Sequence, residues 1–260
     1  MYGIVDGLLL TFVIQLIIMV FAIWALESAR KGKLKTTVQR IPAIEAIDEA
    51  VERCVERGRP LMYDSGGAIS GRAAPTQFAT LDVLGRLTDR MASLGTPMLV
   101  AVYYAESISV TQDVVRMGYT SGGHPEAFNI ENIKWWGDEW TSYYSGVLTW
   151  LYDKKPAAYI MLTGLNWGGA MLAHDCHKID CILLGADTSA TGLSLSYLGP
   201  DVLIMMEELY ATAAYLTKDP LETSVLFAGD YLKILWVGLI VIGVIAAVAG
   251  FPLLDELLKM

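Results

Sequence analysis

Two stretches of this chain are apolar all the way round. From Ile4 to Leu26 the only polar side chains are Asp6, Thr11 and Gln15, and Ile234–Phe251 carries no charge. Roughly 20 apolar residues cross a bilayer core as a helix, so each run has the length of a membrane span. The bases Arg30, Lys31, Lys33, Lys35 and Arg40 follow the first run, and the residues before it carry an acid and no base. A cleaved signal peptide has the opposite charge order and a small-residue cleavage site. The pattern therefore predicts an uncleaved anchor whose basic flank stays cytoplasmic. Lys233 leads into the second run, Pro252 closes it, and Asp255, Glu256 and Lys259 follow. The expected organisation is an anchor at 1–27, a cytoplasmic domain at 28–232 and a second membrane helix with a short tail at 233–260. Both termini then lie outside the cell membrane.

Between the runs the pattern changes to short apolar strands alternating with amphipathic helices. Ile44, Ile47, Val51 and Val55 recur at helical spacing after Pro42, and Gly58 ends that helix. Pro60–Tyr63, Met98–Tyr103, Ala157–Leu162, Ile179–Leu184 and Val202–Met206 read as buried strands. Helices are expected at about 76–94, 107–117, 138–152, 168–174 and 207–216, with boundaries good to a few residues. Continuous apolar strands separated by helices predict an open, mostly parallel α/β sheet of about five strands, covered on both faces in a Rossmann- or flavodoxin-like layout.

Composition narrows the function. The chain has 260 residues, of which 54% are hydrophobic and 18% charged, and its net charge is −9. That balance argues against nucleic acid as a partner, because phosphate binding wants clustered bases. Three cysteines form no disulfide framework, as suits a reducing compartment. No cofactor motif is present: Gly164-Leu165-Asn166-Trp167-Gly168-Gly169 opens a helix after a strand but has neither dinucleotide spacing nor a phosphate-loop lysine.

In parallel sheets ligands collect beyond the carboxyl ends of the strands. Those ends carry Asp64, Ser65, Gly66 and Gly67, then Glu106, Asn166, Gly168, Asp187, Thr188, Glu207 and Glu208. They are the candidate small-ligand residues, although turns and helix caps select the same residue types. His174, Cys176, His177 and Cys181 are metal-ligand types, but their spacing matches no common zinc site. With no serine elbow and three histidines in all, no catalytic residue is assigned. Trp136, Trp140, Tyr143 and Trp150 form an aromatic stripe, and Gly243, Ala247 and Gly250 a small-residue face in the second span. Both are expected interfaces, one on the domain and one in lipid.

Several segments, Arg40-Ile-Pro-Ala-Ile-Glu-Ala-Ile-Asp-Glu-Ala-Val, Arg57-Gly-Arg-Pro, Gln112-Asp-Val-Val-Arg, His124-Pro-Glu-Ala-Phe-Asn, Lys155-Pro-Ala-Ala-Tyr, the Glu207–Leu216 helix and Gly229-Asp-Tyr-Leu-Lys, carry a further signal. Together they resemble an uncharacterised prokaryotic, often archaeal, membrane-protein family known as a domain of unknown function. The resemblance implies an α/β domain between terminal membrane helices and assigns no activity. The functional expectation is a membrane-anchored scaffold without catalytic activity. It would self-associate into a homo-oligomer or join other membrane subunits. The alternative is a sensor or enzyme that binds a small ligand at the strand ends.

Overall fold

A computed structural model describes residues 9–31, 41–162, 166–189, 197 and 199–248. Asp6, Lys33, Lys35, Arg40, Gly164, Gly250 and Pro252, all used in the sequence reading, lie outside the described residues. The chain divides into two compact units, Gln39–Thr217 and a second built from Met1–Val38 with Lys218–Met260.

The larger unit is an α/β fold with a six-stranded sheet. Its elements are α2 (Pro42–Arg57), β1 (Leu61–Ser65), α3 (Ala74–Ser93), β2 (Met98–Val102), α4 (Ile108–Ser121), β3 (Ile133–Trp135), α5 (Trp140–Lys154), β4 (Ala158–Met161), α6 (Asn166–Lys178), β5 (Ile182–Asp187), β6 (Val202–Met205) and α7 (Glu208–Thr217). The strands lie in the order β3-β2-β1-β4-β5-β6, and every pairing is parallel. The sheet therefore has six strands instead of about five. The addition, Ile133-Lys134-Trp135, is an edge strand of three residues of which only Ile133 is buried, too short to show a period.

Side-chain alternation along the strands sorts the helices into two layers. Leu61, Tyr63, Val100, Ile160 and Leu184 point into a core with residues of α2, α3, α4 and α7, such as Ile47, Leu84, Val115 and Leu209. Met62, Leu99, Tyr159, Met161 and Leu183 point the other way, against Tyr143, Val147 and Trp150 of α5 and Leu172 and Cys176 of α6. The chain winds outward from β1 through β2 to β3, then crosses back and winds the opposite way from β4. The reversal falls between β1 and β4, where successive connections leave on opposite faces and open a crevice at the strand ends.

The opposite, amino-terminal edge is closed by Arg59. Its guanidinium donates to the carbonyls of Lys155 at 2.5 Å, Pro156 at 2.9 Å and Ile179 at 3.0 Å, tying the entries of β1, β4 and β5 together. Arg53 and Arg57 add ion pairs to Asp180 at the same edge, at 2.8 and 2.5 Å. Charge-assisted hydrogen bonds are stronger than neutral ones. Arg59→Ala is expected to cost about 2 kcal/mol, a fall of about 4–8 °C in thermal midpoint. Lys at this position should recover little, because one ammonium cannot reproduce the fork. A full recovery by Lys would show that charge alone matters.

The smaller unit contains α1 (Leu9–Arg30) and α8 (Pro220–Val248). Phe21 of α1 meets Tyr231 of α8 with ring centroids 6.2 Å apart, and Ala25 is fully buried. Among the described residues one helix, Glu222–Ile245, is long and apolar enough to cross a membrane, with mean hydropathy 2.0 and 6% of its apolar window buried. The shorter Phe12–Ser28 is also apolar but does not reach that length. So one such helix, not the expected pair, is seen among the described residues. The second apolar helix also starts earlier than Ile234, because α8 runs without a break from Pro220 through the Asp230–Lys233 ion pair.

Candidate functional site

At the switch point between β1 and β4 the strand ends and α5 enclose a cavity of about 450 Å³, within the range of small-molecule sites. Its floor is set by strand register. Asp64 lies opposite Met161 of β4, and Met161 lies opposite Gly185 of β5, so Asp187 projects two residues further along. Asp64 follows Met62 on the face covered by α5 and α6, whereas Ser65 turns to the other face. There Ser65 bonds Gln77 at 2.9 Å and Thr111 at 3.2 Å. A one-residue shift of register would exchange the two.

Asp64 is completely buried. Tyr159 donates to its Oδ2 at 3.3 Å, while Oδ1 and the nearby Tyr143 hydroxyl have no hydrogen-bond partner among the described residues. Burial pushes the Asp64 carboxyl up to about 7, against the smaller opposing pull of the Tyr143 and Tyr159 hydroxyls. The same burial holds the phenols of Tyr143 and Tyr159 well above their ordinary value, so both stay neutral donors. Asp187 is 2% exposed. Its Oδ1 accepts from the Ser189 amide at 2.8 Å and hydroxyl at 2.9 Å, while Oδ2 has no partner among the described residues. A buried polar atom without a partner costs about 1–3 kcal/mol, so each of these asks for an explanation.

Aromatic rings make the wall. Tyr103 stands edge-on to Tyr104 and Tyr143, at 4.7 and 4.9 Å between centroids. Tyr144 meets Trp140 at 5.2 Å and Tyr143 at 5.5 Å. Asp138 fixes this wall to the end of β2 by accepting from the Ala105 amide at 2.8 Å and the Trp135 indole at 2.9 Å. Gly66, Gly67, Ala68, Ala73, Thr76, Thr188 and Ser189 also line the cavity. Among the described residues no Lys, Arg or His lines it.

Five of the candidates named from sequence thus converge: Asp64, Gly66, Gly67, Asp187 and Thr188. Of the others, Ser65, Glu106, Gly168, Glu207 and Glu208 do not line the cavity. Ser65 is on the far face, and Glu106 is exposed and accepts from Ser70 at 3.0 and 3.2 Å. Asn166 begins α6, and Gly168 packs beneath the Tyr144 ring. Glu208 is held at the start of α7 by the Met205 amide at 3.0 Å, and Glu207 precedes it.

The aromatic stripe is mainly interior. Tyr143 and Trp150 are buried in the chain's own core, and Trp136 packs edge-on to both at 6.3 and 5.4 Å, leaving only Trp140 substantially exposed. Helical spacing shows that residues share a face, but not what the face meets. Sequence reasoning missed Tyr103 and Tyr144 as site residues; the i, i+4 pair Trp140–Tyr144 was the available signal. In the lipid-expected stripe, Gly243 is half-buried within α8.

The metal candidates are not assembled. Cys176 and Cys181 are buried, His174 and His177 are exposed, and no group of three His, Cys, Asp or Glu suited to a metal occurs among the described residues. The bond to Cys176 and burial push the Cys181 thiol far up, and burial raises Cys54 to about 12, so both stay neutral.

A family model described as a domain of unknown function, DUF6754, matches residues 5–258. No curated protein and no solved structure matches the chain.

Proposed function

The chain belongs to the DUF6754 family, and on that premise we propose a function from its own geometry: a small-ligand-binding α/β domain carried at a membrane. The observation that supports binding is the fully buried Asp64, a residue that lines the switch-point cavity and whose Oδ1 has no partner among the described residues. A fold gains nothing from such an atom unless something else bonds it. Among the described residues no arrangement of nucleophile and base accompanies it, so the reading is of a sensor or carrier site. The expected scaffold role rested in part on the aromatic stripe, most of which packs in the core.

Membrane attachment rests on Glu222–Ile245 and on the apolar Ile4–Leu26 run. Ile234, Val237, Ile240 and Ile242 are all at least 60% exposed, a surface that suits acyl chains and not water. The basic flank Arg30–Arg40 orients the α/β unit toward the cytoplasm under this reading, with both termini outside.

Thermal-shift screening of the full chain in detergent, against nucleotides, sugars, amines and lipid headgroups, tests the site. A ligand at about 100 times its Kd should raise the midpoint by about 5 °C or more. Ala68→Phe, which fills the cavity, should abolish the shift. Shifts that survive Ala68→Phe, or no shift from any class, would reject the site.

A further inference from the structure

Resting on that reading of the cavity, we propose that its ligand is an aliphatic amine bearing at least two separated ammonium groups. Among the described residues every charged side chain that lines the cavity is a carboxylate, and the two lie on different strands. Asp64 and Asp187 are separated by two strand spacings of about 4.8 Å and a further two residues of about 3.3 Å along the sheet. Both rise from the same sheet face, where side chains stand roughly perpendicular to the sheet and keep the backbone separation, so two ammonium groups match them better than one. Each acid nevertheless keeps one buried oxygen without a partner among the described residues, Oδ1 of Asp64 and Oδ2 of Asp187. These oxygens accept and do not donate when ionised, so they ask for N–H donors at two places.

The walls fit the remainder of such a molecule. Tyr103, Tyr104, Trp140 and Tyr144 line the cavity, and aromatic rings pack methylenes and attract a cation over their faces. Other ligand classes fit less well. A phosphate would face two carboxylates with no lining base among the described residues. A divalent metal wants six or more oxygens at about 2.0–2.6 Å, which two distant carboxylates and phenol rings do not supply. A neutral sugar would leave both charges uncompensated.

The groups facing Asp64 are the phenols of Tyr159 on β4 and of Tyr143 and Tyr144 on α5, with Asp187 across the cavity. The phenols stay neutral near pH 7, so the titration that gates binding is that of Asp64 itself. An aliphatic ammonium keeps its proton up to about pH 10. With Asp64 titrating near 7, its ionised fraction rises about tenfold from pH 6 to pH 8.

Calorimetric titration of the full chain in detergent with 1,4-diaminobutane, 1,4-butanediol, tetramethylammonium and ATP tests the proposal. The diamine should bind about tenfold more tightly at pH 8 than at pH 6. Asp64→Asn should remove the pH dependence, and Asp64→Asn and Asp187→Asn should each weaken binding at pH 8 at least tenfold. Binding of the diol or ATP without the diamine would overturn the amine assignment and leave the site reading intact. Equal affinity for tetramethylammonium would overturn the N–H requirement, and no binding by the diamine would overturn the inference whatever the wider screen finds.

Discussion

Asp64→Asn is expected to make the empty protein more stable, by up to about 4 kcal/mol at pH 8 and by less than about 1 kcal/mol at pH 4. The sign follows from the direction of the shift. Burial raises the Asp64 carboxyl from 3.8 to about 7 in the folded chain, so folding favours the protonated form. Below the unfolded value both states hold the proton, and the group contributes nothing to the difference. As pH rises from about 4 to about 7 the unfolded chain ionises Asp64 while the fold resists, and stability is lost across that window. Above about 7 the full penalty is in place. Asn cannot ionise, keeps an oxygen for Tyr159, and offers an N–H to the unpartnered Tyr143 hydroxyl. Thermal midpoints of wild type and variant at the two pH values check this, with a gap of roughly 8 °C or more expected at pH 8. A gap of equal size at both would show that Asp64 is not the titrating group.

A residue that destabilises the empty fold and is improved by an isosteric neutral substitution has the energetics of a site, since selection for stability alone would not retain it. It also couples the cavity to charge. A cation that enters meets a carboxylate whose ionised form is the costly one, and the ion pair offsets the cost that burial imposes. Asp187→Asn tests the second position separately: Asp187 lies on another strand and already bonds Ser189, so the variant should weaken ligand binding while leaving the Asp64 carboxylate in place.

Much of this was legible in the residue pattern. Strands such as Met98–Val102 are buried end to end, and continuous apolar runs between helices require a covered parallel sheet. The strand-end rule found Asp64, Gly66, Gly67, Asp187 and Thr188 because it depends only on where apolar runs stop. Glu106 and Glu208 obey the same rule but serve the local turn or helix start, a distinction made by side-chain direction and not by position. The wall was hidden for a different reason. Tyr143 and Trp150 share a face of α5, against which Trp136 packs, yet whether that face meets the sheet or a neighbour is decided by the crossover from β3 to β4. That crossover starts at a strand of three residues which carries no periodic signal. Cys176 and Cys181 were drawn toward the histidines by sequence proximity, whereas α6 and β5 turn the thiols inward and leave His174 and His177 outside.

The wall itself is open to a paired test, because one glycine sits against a ring of the wall and another against a ring of the core beside it. A Cβ built on Gly168 of α6 falls inside the Tyr144 ring, and one built on Gly146 of α5 falls inside the Trp136 ring. Alanine at either position must displace an aromatic side chain, at a cost of about 1–3 kcal/mol for overpacking. The two displacements differ in where they act. Tyr144 lines the cavity beside Asp64, so in Gly168→Ala the ring has to move in the wall that a ligand touches. Trp136 does not line the cavity and lies among Tyr143 and Trp150 in the core. Both variants should therefore lose comparable stability, about 3–10 °C in midpoint, while only Gly168→Ala should lose most of its affinity for 1,4-diaminobutane. Equal loss of affinity in both would mean that the cavity responds to core strain in general, and that the Tyr144 ring has no particular part in holding the ligand.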